Sequence, residues 1–532
     1  MSVSRPILDV AIVGAGFAGL YLLHRFRKLG LSAQIWEAGS GVGGTWYWNR
    51  YPGARCDIES VQYSFQFDED LQQDWDWTER YASQPEILRY AEHVTERFGL
   101  RDGIEFNKRV ASAEFDPDED CWLLTAEDQE TMKARFCVMA TGCLSKPNWP
   151  DLAGYKDFAG QIYHTATWPH EGVDLAGKHV AVIGTGSSGI QSIPRIAEQA
   201  AHLTVFQRTP NYSIPAHNHP MDPDYAAKIK ASYPELRARA SKTLGLIDGD
   251  YNTASALSVS DDERLAEFER RWAIGGLTFS GSYGDFMLNK AANDTLVSFV
   301  HGKIRQIVED PETAELLCPD NIIGAKRLCV DTGYYAAFNR KNVDLVDIRK
   351  SPIERIVSEG VKIGQQVYRA DIIVIATGFD AMTGALNQIE ISGRSGVALR
   401  ERWKDGPSSY LGLAMHDYPN LFTVTGPGSP SVLSNMLPSI EQHVEWITDC
   451  IAYMQSNGHV RIEATQDAET DWWQHVQDVG QVGLKQSTDS WYLGANIKGK
   501  PRVFMPYLGG CPAYRQKCDE VAADSYQGFE IT

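Results

Sequence analysis

Two glycine triplets in this sequence have the spacing that lets a backbone wrap a pyrophosphate: Gly14, Gly16 and Gly19, and later Gly184, Gly186 and Gly189. In each G-x-G-x-x-G the first glycine allows a tight turn, the second a close approach of the phosphates, and the third the packing of helix on strand. The N-terminus of the following helix attracts the anion. Eighteen residues beyond Gly19 stands Glu37, where a carboxylate holds a ribose diol. The same offset from Gly189 falls on Gln207, which is uncharged and is followed by Arg208, a pairing that favours a 2′-phosphate. The first site therefore reads as one for an adenine dinucleotide with a free ribose, and the second as one for NADPH. Two nicotinamides would have no useful electron transfer between them, whereas one hydride donor and one flavin, FAD, do.

The elements around these turns are strand, turn, helix, strand, twice over. The apolar run Asp9–Val13 leads into a helix ending near Gly30, and SAQIWEAG follows as the second strand. HVAVIGTGSSGIQSIPRIAEQA and then HLTVFQRT repeat the arrangement. Two further strands end in one tripeptide, at Ala140–Gly142 and Ala376–Gly378, as where the chain crosses between domains in two-dinucleotide flavoproteins. The fold class is α/β: two doubly wound Rossmann-like dinucleotide-binding domains and a mostly helical insertion. The expected order is an FAD domain over 1–142, an NADPH domain over 150–222, the insertion over 223–330, the rest of the NADPH domain over 331–380, and a C-terminal part of the FAD domain over 381–532. In the insertion, Ser260 and Glu263 form a capping-box pattern, with Leu265, Phe268 and Trp272 on one helical face. Pro438–Met454 predicts an amphipathic helix with Ile440, Val444, Ile447, Ile451 and Met454 along its buried stripe.

Length and charge bound the rest. A chain of 532 residues suggests three or four domain-sized units. A formal charge of −19 argues against nucleic acid or an anionic membrane surface as partner. The N-terminus shows no charged-then-apolar leader, and no apolar stretch approaches a membrane span. Nine scattered cysteines without a C-x-x-C point to a reduced, cytoplasmic protein with no disulfide framework, metal site or redox dithiol. The lack of a dithiol excludes a disulfide oxidoreductase, which shares the two cradles.

Two longer patterns carry a resemblance. F-x-G-x-x-x-H-x-x-x-W-P is filled by Phe158, Gly160, His164, Trp168 and Pro169, and G-G-x-W-x-x-x-Y-P-G-x-x-x-D by Gly43, Gly44, Trp46, Tyr51, Pro52, Gly53 and Asp57. With them the chain resembles the type I flavin-dependent Baeyer–Villiger monooxygenases along its whole length, and WYWNRYPGARCDIES and GPGSPSVLSNML resemble the phenylacetone and steroid monooxygenase branch. The resemblance implies an enzyme that uses FAD, NADPH and O2 to convert a hydrophobic ketone to an ester or lactone through a flavin peroxide. A nucleophilic peroxide needs a fixed cation in a water-poor pocket, and arginine supplies one without acting as an acid.

By the same resemblance Arg327 is that cation, Asp57 orients it, and Lys326 joins Arg208 at the 2′-phosphate. Thr45, Trp46, Asp57, Tyr63 and Met436 would face FAD. Arg55, Thr185, Ser187, Ser188, Gln191, Thr209 and Trp491 would face NADPH. His164 and Trp168 would link the domains without doing chemistry, and the helix after Pro438 either aims its positive end at the flavin or is an ordinary core helix. Cys143, Ser431, Val432, Leu433 and Met436 would shape the ketone pocket. Cys143 and Val432 replace a glutamine and an alanine of the phenylacetone branch. A monomer or weak oligomer is expected. The nearest alternative is a flavin-containing N- or S-monooxygenase, whose related pattern ends in Tyr or Phe where this chain has Trp168. A redox-sensing flavoprotein without turnover is the alternative of another class.

Overall fold

A computed structural model of the chain describes residues 6–532; the first five, the start of the segment read above as free of a leader, lie outside the described residues. Two sheets position the cradles. In the first, four parallel strands run side by side, Thr131–Met139, Leu8–Val13, Ala33–Glu37 and Ile104–Phe106. Val110–Asp116 and Cys121–Ala126 extend it as an antiparallel hairpin. Its last two strands come from far along the chain: Glu390–Ser392 at the edge, and Leu421–Thr423 in register with Cys137–Met139.

The second sheet is parallel throughout, in the order Val343–Asp347, His202–Gln207, His179–Ile183, Ile372–Ile375, Gln161–His164. Its central segments, VAVI and IIVI, are buried residue by residue. Such unbroken apolar runs are what strands covered on both faces require. Its edge strand, Gln161–His164, is part of the Phe158–Pro169 pattern.

Between Ser213–Pro215 and Cys329–Asp331, which pair as a parallel two-stranded ribbon, the chain leaves and returns. Five α-helices fill the excursion, Pro223–Ala231, Tyr233–Ala240, Asp261–Ile274, Lys290–Ile307 and Pro311–Leu317. The Ser260–Glu263 capping box is present in both directions. The face predicted for that helix is narrower than expected: Phe268 is buried and Trp272 half-buried, but Leu265 is exposed. The helix uses its one well-buried turn for Phe268 and for Arg271, whose guanidinium is paired with Glu267.

The long C-terminal helix runs Met436–Asn457. Val444, Ile447, Ile451 and Met454 are fully buried and Ile440 half-buried. It is not amphipathic, however, because Glu441, His443, Trp446 and Cys450 on its other sides are buried too. Glu441 accepts N–H bonds from Gln66 (2.6 Å) and Phe67 (3.0 Å). Burial pushes its carboxyl up to about 8, against those two bonds and the charge of Arg237. An acid raised on folding adds stability below its unfolded value of 4.5 and loses it as pH rises through about 8. Unfolding midpoints should therefore fall between these pH values, by at most about 1.4 kcal/mol per pH unit. Glu441→Gln, which keeps the acceptor oxygen, should flatten that slope; an unchanged slope in calorimetry would remove Glu441 as its cause.

No helix among the described residues is long and apolar enough to cross a membrane.

Candidate active site

Both cradles are built by one device. Gly14 and Gly184 take φ of +105° and +114°, a region that only glycine enters freely. A Cβ on Gly14 would sit 2.7 Å from the carbonyl oxygen of Ala140, and one on Gly184 2.5 Å from that of Ala376. The repeated Ala-Thr-Gly tripeptides are thus the crossing strands pressed against each first glycine. Gly19 and Gly189 face inward, where a Cβ would overlap the carbonyls of Gly14 and Gly184. Gly186 has open space, as a phosphate-facing glycine should.

The cradles open into one continuous cavity of about 2450 Å³. A single small-molecule site occupies about 300–1,000 Å³, so this volume fits two dinucleotides and a substrate. At the first cradle, Glu37 is buried and accepts from the N–H groups of Ala15 and Gly39, each at 2.7 Å. Burial raises its pKa and these bonds oppose the rise. Thr45, Trp46, Tyr63 and Met436 line the same wall, with Trp46 Nε1 donating to the Tyr63 hydroxyl at 3.1 Å.

At the second cradle, Gln207 turns away from the cavity and donates to Leu316 O at 2.7 Å. Arg208 and Lys326 remain on the lining, with Thr185, Ser187, Ser188 and Thr209. Neither cation makes an ion pair among the described residues. Burial first, and then Arg208, lower the pKa of Lys326. Two unneutralised cations that repel one another suit a dianionic phosphate.

Arg55 and Gln191 line the cavity too, but they spend their polar groups on the seam between domains. Gln191 accepts from the Tyr51 hydroxyl at 2.8 Å and donates to Arg55 O at 3.1 Å. The Arg55 guanidinium goes to Glu79 (2.9 Å) and Tyr81 O (2.7 Å). Gly53, at φ +84°, lies against Gln191 O, where a Cβ would not fit. The Tyr-Pro-Gly of the second pattern is therefore the part of the first domain that docks on the second cradle's helix.

Arg327 and Asp57, 270 residues apart, meet side to side. Nη2 donates to Oδ1 at 2.9 Å, Nε donates to Oδ2, and Nη1 donates to Val432 O at 2.9 Å. Burial opposes the guanidinium charge, but the Asp57 carboxylate outweighs it, and the arginine pKa is raised. The pair lies on the cavity wall.

Cys143 and Val432 line the cavity near this pair and Met436 lines it as well, whereas Ser431 and Leu433 do not. Ser431 is fully buried, with φ +39°, and its hydroxyl faces Met382 Sδ at 3.7 Å. Leu433 packs with Tyr492, Phe504 and Met505 in the apolar cluster behind the wall. Trp491 lines the cavity.

His164 and Trp168 lie off the cavity lining. His164 Nδ1 accepts from Ala166 N at 3.0 Å, its Nε2 stands 3.3 Å from Asn148 O, and its ring is 5.1 Å from Trp149. Asn148 N in turn donates to Gly378 O on the second crossing strand. Asn148, Trp149 and Thr425 line the cavity, and no spacing in the sequence singles them out.

Residues 11–256 match the pyridine nucleotide-disulphide oxidoreductase family. The chain is 41% identical to phenazine N-monooxygenase PhzNO1 of Lysobacter antibioticus, over 98% of this chain and 96% of that one. It is 39% identical to cyclohexanone 1,2-monooxygenase of Acinetobacter sp, again over 98% and 96%. Among solved structures, an oxidized steroid monooxygenase bound to NADP superposes with a TM-score of 0.94 at 51% identity, covering 99% of each chain.

Proposed function

The chain belongs to the Baeyer–Villiger monooxygenase family, and on that premise we propose that Arg327, held by Asp57, is the cation over which a ketone is oxygenated. The enzyme uses FAD, NADPH and O2. Bound FAD, once reduced by NADPH, would activate O2, one atom of which enters beside the carbonyl while the other leaves as water. The observation that supports the role of Arg327 is its three-way hold by Asp57 and Val432 O on the wall shared by both cradles.

Three of the five N–H donors of a guanidinium are taken by those bonds, which leaves two for an incoming oxygen. The charge is permanent, so Arg327 stabilises negative charge on oxygen and gives up no proton. Asp57 keeps the fork in one orientation. Glu37 holds the FAD ribose, and Arg208 with Lys326 holds the 2′-phosphate of NADPH. The ketone rests against Cys143, Val432 and Met436, which carry no charge and select a hydrophobic substrate. Nine cysteines, all unpaired, suit the reducing cytoplasm.

The decisive experiment incubates the FAD-loaded enzyme with NADPH, O2 and a panel of aliphatic, cyclic and aryl ketones together with amines, sulfides and phenazines, with esters and N- or S-oxides read by chromatography. Ketone-dependent ester or lactone supports the reading. Product from amines, sulfides or phenazines alone would make it an N- or S-oxygenase, an outcome kept in the panel because of the phenazine N-monooxygenase relative. Arg208→Ala and Lys326→Ala should each raise KM for NADPH by about ten- to a hundredfold, the worth of one charged hydrogen bond. KM for NADH should stay where it is. Equal losses with both nucleotides would remove the two cations from the 2′-phosphate.

A further inference from the structure

Lys485 is a half-buried cation that the chemistry above does not use. It opens the segment leading to Trp491 and Tyr492, and its Nζ donates to the carbonyl of Gly324 at 3.0 Å. Gly324 lies in the turn that precedes Lys326 and Arg327. Two further features join the same segments. Met287, from the insertion, accepts the N–H of Leu484 at 2.8 Å. Gly324 and Gly483 both lie so close to Met287 that a Cβ on either would collide with it. The Lys485 ammonium also stands 5.6 Å from the centroid of the Tyr492 ring, and Tyr492 is buried in the apolar cluster with Cys143 and Val432.

We propose that Lys485 is a positioning residue for Arg327: by tying segment 483–493 to the Gly324 turn, it fixes the guanidinium relative to Trp491 on the cavity lining and to the Tyr492 cluster behind it. The proposal rests on the oxygenase reading above. The groups that face Lys485 are Arg327 on the turn and Tyr492 on its own segment; the Met287 strut brings no titratable group. Burial, and then the charge of Arg327, push the ammonium down to about 8 from an ordinary 10.5. Docking of the segment therefore expels a proton above about pH 8, and the docked state gains as pH rises from there towards 10.5. The uncharged amine still carries N–H, so the bond to Gly324 outlasts the charge.

The test measures amide hydrogen-exchange protection across 483–493 in the FAD-loaded enzyme with saturating NADP+, at about pH 7 and about pH 9.5, beside the fraction of NADPH lost as hydrogen peroxide. Lys485→Met should lower protection there about tenfold or more, the loss of one charged hydrogen bond. It should also abolish the rise with pH and increase the peroxide fraction. Lys485→Arg should restore protection but not the pH response, because arginine does not titrate in this range. Lys485→Gln replaces the methionine variant if that one fails to retain FAD. Wild-type protection and pH response in Lys485→Met, or a loss spread evenly over the molecule, overturns the proposal. A wild-type enzyme that oxygenates nothing sinks the functional reading instead, and the exchange experiment still decides the role of Lys485.

Discussion

Arg327→Ala should cut ester formation by about 10²–10³-fold, the cost of removing one preorganised donor from an oxyanion site, while NADPH continues to be consumed and its electrons leave as hydrogen peroxide. The split is expected because the Arg327 guanidinium belongs to neither glycine turn: its bonds go to Asp57 and Val432 O. Arg327→Lys keeps a charge but loses the planar fork that engages both Asp57 oxygens, and should fall between the two. Gas chromatography of product, set against NADPH and peroxide assays on the same sample, separates the effects. Ester production at the wild-type rate in Arg327→Ala would end the assignment.

Asp57→Ala has a different signature, loss of stability as well as of rate. It leaves a guanidinium enclosed without its carboxylate, and breaking one side of such a pair costs about 3–5 kcal/mol. The side chains are 24% and 22% exposed, so the lower end of that range applies. Replacing both partners, Asp57→Ala with Arg327→Met, should recover most of the stability and none of the ester formation, because an uncharged pair has no buried charge to strand. Denaturant titration of the single and double variants measures this directly. A double variant no more stable than Asp57→Ala would mean that the loss comes from packing and not from the stranded charge.

How much of this was legible in the sequence depended on how local the constraint was. The cradles were, because a glycine forced to φ +105° or +114° beside a carbonyl leaves a fixed spacing. The crossing strands were legible for the same reason, since each tripeptide abuts such a glycine. The capping box was, being closed within four residues. Leu265 was misplaced because helical periodicity says which residues share a face, not whether another element covers it. Ser431 and Leu433 sit beside residues that do line the pocket, and only their backbone direction, set by φ +39° at Ser431, turns them away. The seam made by Tyr51, Arg55 and Gln191, and the tie from Lys485 to Gly324, join segments more than a hundred residues apart. No single-sequence pattern encodes such contacts. The Asp57–Arg327 meeting is equally remote, and it was reachable only through the family resemblance.

The strand Leu421–Thr423 has a consequence for how the molecule is born. It lies beside Cys137–Met139, inside the sheet that carries the first cradle. At a synthesis rate of about 5–20 residues per second, the ribosome needs on the order of tens of seconds to pass from one strand to the other. Through that interval the N-terminal portion has an open flank, while the second sheet, complete by residue 375, can already close. The cradle encoded second is thus ready first, and the newborn chain completes the sheet of its first cradle last.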